Sequence, residues 1–94
     1  MRILGLSRLH EFSANHADSR KWLINWVADV RGSRWTNFHD IKQKYPSASF
    51  LAENIVIFNV RGNNYRMETQ VTFGTQVISV RWIGTHAEYD RRNA

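Results

Sequence analysis

Three runs rich in β-branched and aromatic residues dominate the second half of the chain, and short glycine-containing segments separate them. The runs cover residues 55–61, 65–73 and 76–83, with Gly62-Asn63 and Gly74-Thr75 between them. Such dipeptides suit the tight loops of β-hairpins, in which at least one residue needs a positive φ. The sequence therefore predicts a β-meander, in which consecutive strands are antiparallel.

The register of this meander follows if each dipeptide forms a two-residue loop. Residues at equal distances from a loop then face each other, and side chains alternate between the two faces of the sheet. Both loops direct the same apolar side chains of the middle strand toward one face. The predicted facing pairs are Val60–Tyr65, Phe58–Met67, Val56–Thr69, Met67–Trp82, Thr69–Val80 and Val71–Ile78.

Helical patterns occupy the first half of the chain, after a short N-terminal strand. Ser7 is a candidate N-cap for a helix over residues 8–14. Asn15 and Asp18 resemble a capping box at the start of a second helix, which Gly32 ends. The apolar face of this second helix carries Trp22, Leu23, Trp26, Val27 and Val30.

A third, short helix follows in the prediction. Thr36 or Asn37 caps it, and it ends before Tyr45-Pro46, because the residue that precedes a proline avoids helical geometry. Lys42 and Lys44 lie near its end, where cations interact favourably with the helix dipole. The same two lysines are candidates for binding phosphate.

Helices followed by strands predict an α+β fold, with the N-terminal helices packed on one face of an antiparallel sheet. The 94 residues make a single domain, 1–94, because two smaller pieces would bury too little surface. No run approaches the roughly 20 apolar residues of a membrane-spanning helix, and the N-terminal run is too short for a signal peptide. The absence of cysteine suits a reducing cytosol. Since the histidines are scattered, no metal site or cofactor is predicted.

The chain is basic, with a formal net charge of +5. A basic domain of this size fits a polyanionic partner, and nucleic acid is the first candidate. An acidic protein partner satisfies the same charge balance, so composition leaves both open.

The second face of the predicted sheet is polar. In the predicted register Glu68 faces Arg81, which gives both side chains a structural role as a cross-strand pair. Arg66 has only Asn59 and Ile83 as neighbours, so no carboxylate is assigned to it. Arg66 is therefore a candidate for binding phosphate, and a solvated arginine packed on Ile83 is the alternative.

The segment Thr85-His86-Ala87-Glu88-Tyr89-Asp90 follows the last strand, which Gly84 is predicted to end. Thr85 and Glu88 have the spacing of a capping box, so a turn of helix is predicted here. His86, Tyr89 and Asp90 then share one helix face. An imidazole, a phenol and a carboxylate thus cluster at the edge of the basic sheet face.

Cleavage of RNA by its own 2′-hydroxyl fits these side chains. The reaction needs a base on that hydroxyl, an acid on the leaving 5′-oxygen and cations on the phosphate. His86 suits proton transfer near neutral pH, and Asp90 can orient it. Tyr89 can donate to the phosphate, transfer a proton or stack on a base, while Arg66 and Arg81 can stabilise negative charge. A helix cap with an exposed histidine is the structural alternative, and spacing alone favours it.

At these residues the sequence resembles the HigB family of toxin–antitoxin endoribonucleases, within the RelE/ParE-like superfamily. The resemblance covers nearly the whole chain. Its most specific motifs are Gly62-Asn63-Asn64-Tyr65-Arg66 and Gly84-Thr85-His86-Ala87-Glu88-Tyr89-Asp90, and further landmarks are Trp35, Pro46-Ser47-Ala48 and Val56-Ile57-Phe58-Asn59-Val60.

The resemblance implies a RelE-like fold and a toxin that cuts mRNA in the bacterial cytoplasm, on the translating ribosome, and arrests growth. It also implies a cognate HigA-like antitoxin, a helix-turn-helix protein that forms an inactive, operator-binding complex with the toxin. Two alternatives are a growth inhibitor that acts only by binding, as in the gyrase-poisoning branch of the superfamily, and a corepressor without toxicity.

The matched motifs carry over Arg66, His86, Tyr89 and Asp90 as catalytic candidates. One departure from the family is Met67-Glu68, where aliphatic residues are more common. Glu68 adds negative charge to the RNA face, which lowers activity unless Arg81 neutralises it. Physical argument adds candidates for binding RNA phosphates, namely Arg61, Arg81, Lys42, Lys44 and Asn63.

Overall fold

A computed structural model describes residues 1–92, in which four α-helices accompany a five-stranded sheet. The strands are β1 (Arg2–Leu4), β2 (Ser49–Leu51), β3 (Ile55–Val60), β4 (Tyr65–Thr72) and β5 (Val77–Thr85). The helices are α1 (Leu6–Asn15), α2 (Arg20–Gly32), α3 (Phe38–Lys44) and α4 (His86–Arg92), and short 3₁₀ turns cover Ala17–Ser19 and Ala52–Asn54. None of these four helices has the length and hydropathy needed to cross a lipid bilayer. The predicted α+β fold is confirmed.

The strands lie in the order β1-β5-β4-β3-β2. Strands β3, β4 and β5 form the predicted meander, and β2 pairs with β3 in the antiparallel direction. The N-terminal strand β1 runs parallel to β5 and pairs Ile3 with Ile78. The sheet is therefore mixed, whereas the prediction contains only antiparallel pairs, because turn signals carry no information about strands that are distant in the chain.

Both hairpin loops have the predicted length. In the first hairpin, the register agrees with the prediction along the whole of β3. In the second, the residues nearest the turn also agree. The confirmed pairs are Val60–Tyr65, Phe58–Met67, Val56–Thr69, Thr69–Val80 and Val71–Ile78.

A β-bulge interrupts the pairing of β4 with β5 between Glu68 and Thr69. Beyond the bulge, Glu68 faces Trp82 and Met67 faces Ile83, one position later than predicted. Because an extra residue in one strand turns the following side chains to the opposite face, Trp82 lies on the face that the N-terminal helices leave open. The predicted pair Met67–Trp82 is therefore wrong.

The helices and the other face of the sheet enclose the hydrophobic core. Trp26 of α2 is fully buried and meets Phe58 of β3 edge to face, with 5.5 Å between the ring centroids. Ile41 of α3 and Met67 of β4 are also completely buried. Burial of a side chain of this size contributes about 1.5–3 kcal/mol. The core thus holds the N-terminal helices on one face and leaves the opposite face available for a site.

The start of α1 differs from the prediction. The helix begins after Gly5, and Ser7 lies within it without capping it. Gly5 has a φ of 86°, and a Cβ at this position would lie 2.5 Å from the carbonyl oxygen of Val80. Only glycine tolerates both the backbone conformation and this close approach to β5.

The predicted capping box at the start of the second helix is also wrong. Asn15 donates to the carbonyl of Glu11 in the preceding helical turn. The carboxylate of Asp18 accepts hydrogen bonds from the Tyr65 hydroxyl at 2.7 Å and from the Arg61 guanidinium at 3.1 Å. Asp18 therefore joins the helical layer to the first hairpin, and a 3₁₀ turn leads into α2.

The boundaries of the later helices agree with the prediction. The helix α2 ends at Gly32. Asn37 caps α3 by accepting a hydrogen bond from the backbone N–H of Asp40 at 3.0 Å, and α3 ends at Lys44, just before Tyr45.

Candidate active site

Arg66 of β4 lies on the open face of the sheet, between Asn59 of β3 and Gly84 of β5. The predicted neighbour Ile83 is displaced by the bulge. Gly84 has no side chain, and the Trp82 ring occupies the space above it, since a Cβ at Gly84 would lie 2.6 Å from one ring carbon. The half-buried side chain of Arg66 thus lies beside the Trp82 ring, which packs on the backbone of Gly84.

The guanidinium of Arg66 donates a hydrogen bond from Nε to Nε2 of His86, over a long 3.4 Å. Because a guanidinium has only donors, the imidazole nitrogen must accept. This bond requires a lone pair on Nε2, so it can form only with the tautomer that has its proton on Nδ1. The contact with Arg66 therefore orients the His86 ring toward the open face of the sheet.

Arg66 also contacts Tyr89, one turn further along α4. The guanidinium carbon lies 4.8 Å from the centroid of the Tyr89 ring, within the range in which a cation is attracted to an aromatic face. The Tyr89 ring in turn lies 5.9 Å from the Trp82 ring. We name Arg66, Trp82, His86 and Tyr89 the Arg66 cluster.

A capping box positions α4, as predicted. The Thr85 N–H donates to the Glu88 carboxylate at 2.8 Å, and the Glu88 N–H donates to the Thr85 hydroxyl at 3.1 Å. The backbone N–H of Thr85 and then its hydroxyl lower the pKa of the Glu88 carboxyl. The strand β5 runs through Gly84 to Thr85, so the prediction that Gly84 ends the strand is wrong. His86 consequently begins the helix directly at the end of the sheet.

An ion pair holds the other end of α4. Arg92 donates to both carboxylate oxygens of Glu68, at 2.8 and 3.4 Å, and its guanidinium lies 5.0 Å from the centroid of Trp82. Arg81, the predicted partner of Glu68, instead donates to the side-chain oxygen of Gln70 at 2.8 Å. The predicted pair Glu68–Arg81 is therefore wrong, because the bulge places Trp82 opposite Glu68.

The two lysines of α3 have structural partners. Lys42 donates to the carbonyl of Ala48 at 2.8 Å. Lys44 lies 3.7 Å from the carboxylate of Asp29, with both side chains partly exposed. Neither lysine belongs to the Arg66 cluster, and their binding of phosphate stays a prediction.

Arg61 and Asn63 lie in the turn between β3 and β4, close to Arg66 in the chain. Both are exposed, and Asn63 forms no side-chain hydrogen bond within residues 1–92. The ion pair of Arg61 with Asp18 is solvent-exposed on both sides, so it contributes little stability. Arg61 thus contacts Asp18 of the helical layer and not the Arg66 cluster, and binding of RNA phosphate by Arg61 or Asn63 stays a prediction.

Asp90 is exposed and forms no hydrogen bond or ion pair within the described part of the chain. His86 is held by Arg66 instead. The structure thus brings together three of the four predicted catalytic residues, Arg66, His86 and Tyr89. An orienting role for Asp90 stays a prediction.

Sequence reasoning missed Trp82 and Arg92 as members of the site. Strict alternation assigns Trp82 to the core, and only the bulge brings it to the open face. Arg92 had one available signal, since Arg91 and Arg92 directly follow the segment 85–90 that is predicted to form a turn of helix. The charge of Glu68 on the same face supplies its partner.

Comparison with known protein families matches residues 19–92 to the family described as HigB_toxin, RelE-like toxic component of a toxin-antitoxin system. The matched region contains β2 to β5, α2 to α4 and every member of the Arg66 cluster. Comparison with curated proteins gave no match.

Proposed function

The chain belongs to the HigB toxin family of toxin–antitoxin systems, and we propose that it is a metal-independent endoribonuclease. It cleaves mRNA on the translating ribosome in the bacterial cytoplasm and thereby arrests growth. The observation that carries this proposal is the contact of Arg66 with both His86 and Tyr89 on the open face of the sheet.

The first step is removal of a proton from the RNA 2′-hydroxyl. A neutral imidazole whose Nε2 carries a lone pair can accept this proton. When RNA binds, the long hydrogen bond between Arg66 and His86 breaks. Nε2 of His86 then accepts the proton of the 2′-hydroxyl. The 2′-oxygen attacks the adjacent phosphorus, which breaks its bond to the 5′-oxygen of the next nucleotide and leaves a 2′,3′-cyclic phosphate.

Arg66 stabilises the charge that develops on the phosphate. A guanidinium carries five N–H donors, and the bond to His86 uses only the one on Nε. The Nη donors can therefore bind phosphate oxygens as charge-assisted pairs. The leaving 5′-oxygen takes a proton from the hydroxyl of Tyr89, whose ring contacts Arg66. The phenolate then regains a proton from solvent and the protonated His86 loses one, which restores both side chains.

Glu68 departs from the family pattern, but its negative charge is paired with the positive charge of Arg92. Its side chain is only 14% exposed, and both of its oxygens accept hydrogen bonds from Arg92. This pairing keeps a carboxylate close to the Arg66 cluster compatible with binding a polyanion. The net charge of +5 supports the same reading, because it favours association with RNA.

The partner of the toxin is its antitoxin, as membership of a toxin–antitoxin family requires. From the resemblance to HigB toxins we expect a HigA-like helix-turn-helix protein. Its complex with the toxin is inactive and binds the operator of the shared operon.

Mapping of RNA ends tests the proposed chemistry. The chain is expressed from a tightly repressed promoter without antitoxin, and His86→Ala serves as the matched control. We expect growth arrest with new ends that carry 2′,3′-cyclic or 3′-phosphate upstream and 5′-hydroxyl downstream. Ends with 3′-hydroxyl and 5′-phosphate contradict the scheme, since they arise when water attacks the phosphorus. Growth arrest with intact RNA and altered DNA topology indicates an inhibitor that acts by binding.

A further inference from the structure

An apolar groove lies between α1 and α2, and none of the residues that line it belongs to the Arg66 cluster. Its volume is about 450 Å³. The helices supply an almost continuous apolar lining, which consists of Leu6, Leu9, Leu23, Ile24, Val27 and Ala28.

The groove opens to solvent rather than into the core. Ile24 is 62% exposed, more than the other large exposed hydrophobic residues of the described chain. Leu23, its neighbour in α2, is buried and forms part of the floor. An exposed apolar surface of this kind, bordered by polar side chains, is typical of a protein-binding site.

The border of the groove is basic. Arg20 and Arg31 of α2 and His10 of α1 lie along it, and none of the lining residues is acidic. Within residues 1–92, neither guanidinium forms an ion pair or a side-chain hydrogen bond. The groove therefore presents apolar surface between unpaired cations.

The positive charges of Arg20 and Arg31 favour some binding partners of the groove over others. A second copy of this chain would bring a further net charge of +5 and the same basic border to the contact. A partner with carboxylates beside its apolar residues would pair with Arg20 and Arg31 at the border. Since the walls are two α-helices, an amphipathic helix fits between them in the helix-in-groove mode.

We propose that the α1–α2 groove binds an amphipathic, acidic helix of the antitoxin. Its apolar residues contact Ile24 and Val27, and its carboxylates pair with Arg20 and Arg31. The inference rests on membership of a toxin–antitoxin family and does not depend on the proposed nuclease chemistry. It separates the surface that the antitoxin binds from the surface that carries the Arg66 cluster.

The test measures binding to the protein encoded by the reading frame adjacent to this chain's gene. The toxin carries His86→Ala so that it can be produced without growth arrest, and titration calorimetry gives Kd. Ile24→Glu is compared with Asn25→Glu, and Arg20→Glu with Lys21→Glu. Each control changes the exposed neighbour in α2 that does not line the groove.

We expect Ile24→Glu and Arg20→Glu each to weaken binding on the order of tenfold or more, and the two controls to stay within about twofold. Circular dichroism checks that the variants fold, which the exposure of all four positions favours. Failure of the parent chain to bind, or equal losses in variants and controls, overturns the proposal. So does a dimer of the free toxin that Ile24→Glu dissociates, because the groove then belongs to a second copy. A failure of the nuclease proposal leaves these affinities unaffected.

Discussion

Arg66 and His86 are 20 positions apart, yet the Nε–H of the arginine is aimed at Nε2 of the histidine. One residue belongs to the central strand of the meander and the other to the first turn of the C-terminal helix. The bond therefore forms only when α4 is docked against the sheet. The geometry of the proposed site depends on the docking of a helix in which no side chain is fully buried.

Substitutions in this pair should reduce cleavage much more than stability. We expect His86→Ala to lower the cleavage rate by about 100-fold or more, since it removes a proton-transfer group. Arg66→Lys keeps the charge but loses the Nε donor and the planar guanidinium. We therefore expect Arg66→Lys to cleave RNA more slowly than the parent chain as well. Rates are measured on ribosomes programmed with a defined mRNA, and thermal unfolding is followed in parallel. Arg34→Ala, at an exposed position between α2 and α3, is the charge control. Normal cleavage by His86→Ala would show that the histidine is not the base.

Gly84→Ala should disturb the site through Trp82. The new methyl group would lie 2.6 and 2.7 Å from two carbons of the Trp82 ring, so the ring must leave its position and lose contact with Tyr89 and Arg92. We expect a loss of roughly 1–3 kcal/mol in the free energy of unfolding, as for other overpacked positions. Denaturant unfolding measures it. Gly74→Ala is the matched control, because nothing lies within 4 Å of its Cβ position.

The pair of Glu68 with Arg92 should matter for binding RNA more than for stability. Arg92→Ala leaves a largely covered carboxylate uncompensated beside the Arg66 cluster. We expect RNA affinity to fall roughly fivefold, which corresponds to about 1 kcal/mol. Fluorescence anisotropy with a short labelled RNA measures the affinity in the His86→Ala background. Adding Glu68→Gln should recover most of the loss, and a double variant as weak as Arg92→Ala would assign Arg92 a direct contact with RNA.

Acid should loosen α4 through Glu88. Its pKa lies below the ordinary value for glutamate because Thr85 donates to the carboxylate. The ionised form therefore stabilises the folded state above the ordinary value, and this contribution is lost as the pH falls through the lowered pKa. We expect the tryptophan fluorescence to change over this acidic range, and the change to be absent in Trp82→Phe, which leaves the other three tryptophans in place. Glu88→Gln retains a capping side chain without the titrating proton and should flatten the change. An unaltered titration would assign the transition to another carboxyl.

The meander was predictable because its information is local. Gly62 and Gly74 mark the two turns. Alternation with a period of two then predicts the facing pairs of the first hairpin, and those of the second hairpin from its turn as far as the bulge. The helix α4 was predictable for the same reason, since Thr85 and Glu88 carry a capping box within four consecutive residues.

The remaining features depend on contacts between distant residues. Alternation contains no sign of the bulge beside Glu68, so it placed Trp82 on the wrong face and assigned Glu68 to Arg81. The parallel pairing of β1 with β5 likewise joins the two ends of the chain. Asp18 has the spacing of a capping residue, but Tyr65 and Arg61 use its carboxylate instead.

The bulge beside Glu68 also bears on how the second hairpin assembles. From the turn at residues 73–76 as far as Thr69, the facing pairs are the same in the native register and in a register without the bulge. The two registers differ only from Glu68 onward. A ladder that continues without the bulge sends Trp82 into the helical layer and Ile83 to solvent. Because such a ladder exchanges the faces of Trp82 and Ile83, we expect any hairpin that forms it during refolding to open before the native pairs can form. The turn therefore does not determine the register of β5 beyond the bulge, and we expect the packing of Trp82 and Ile83 on opposite faces to decide it.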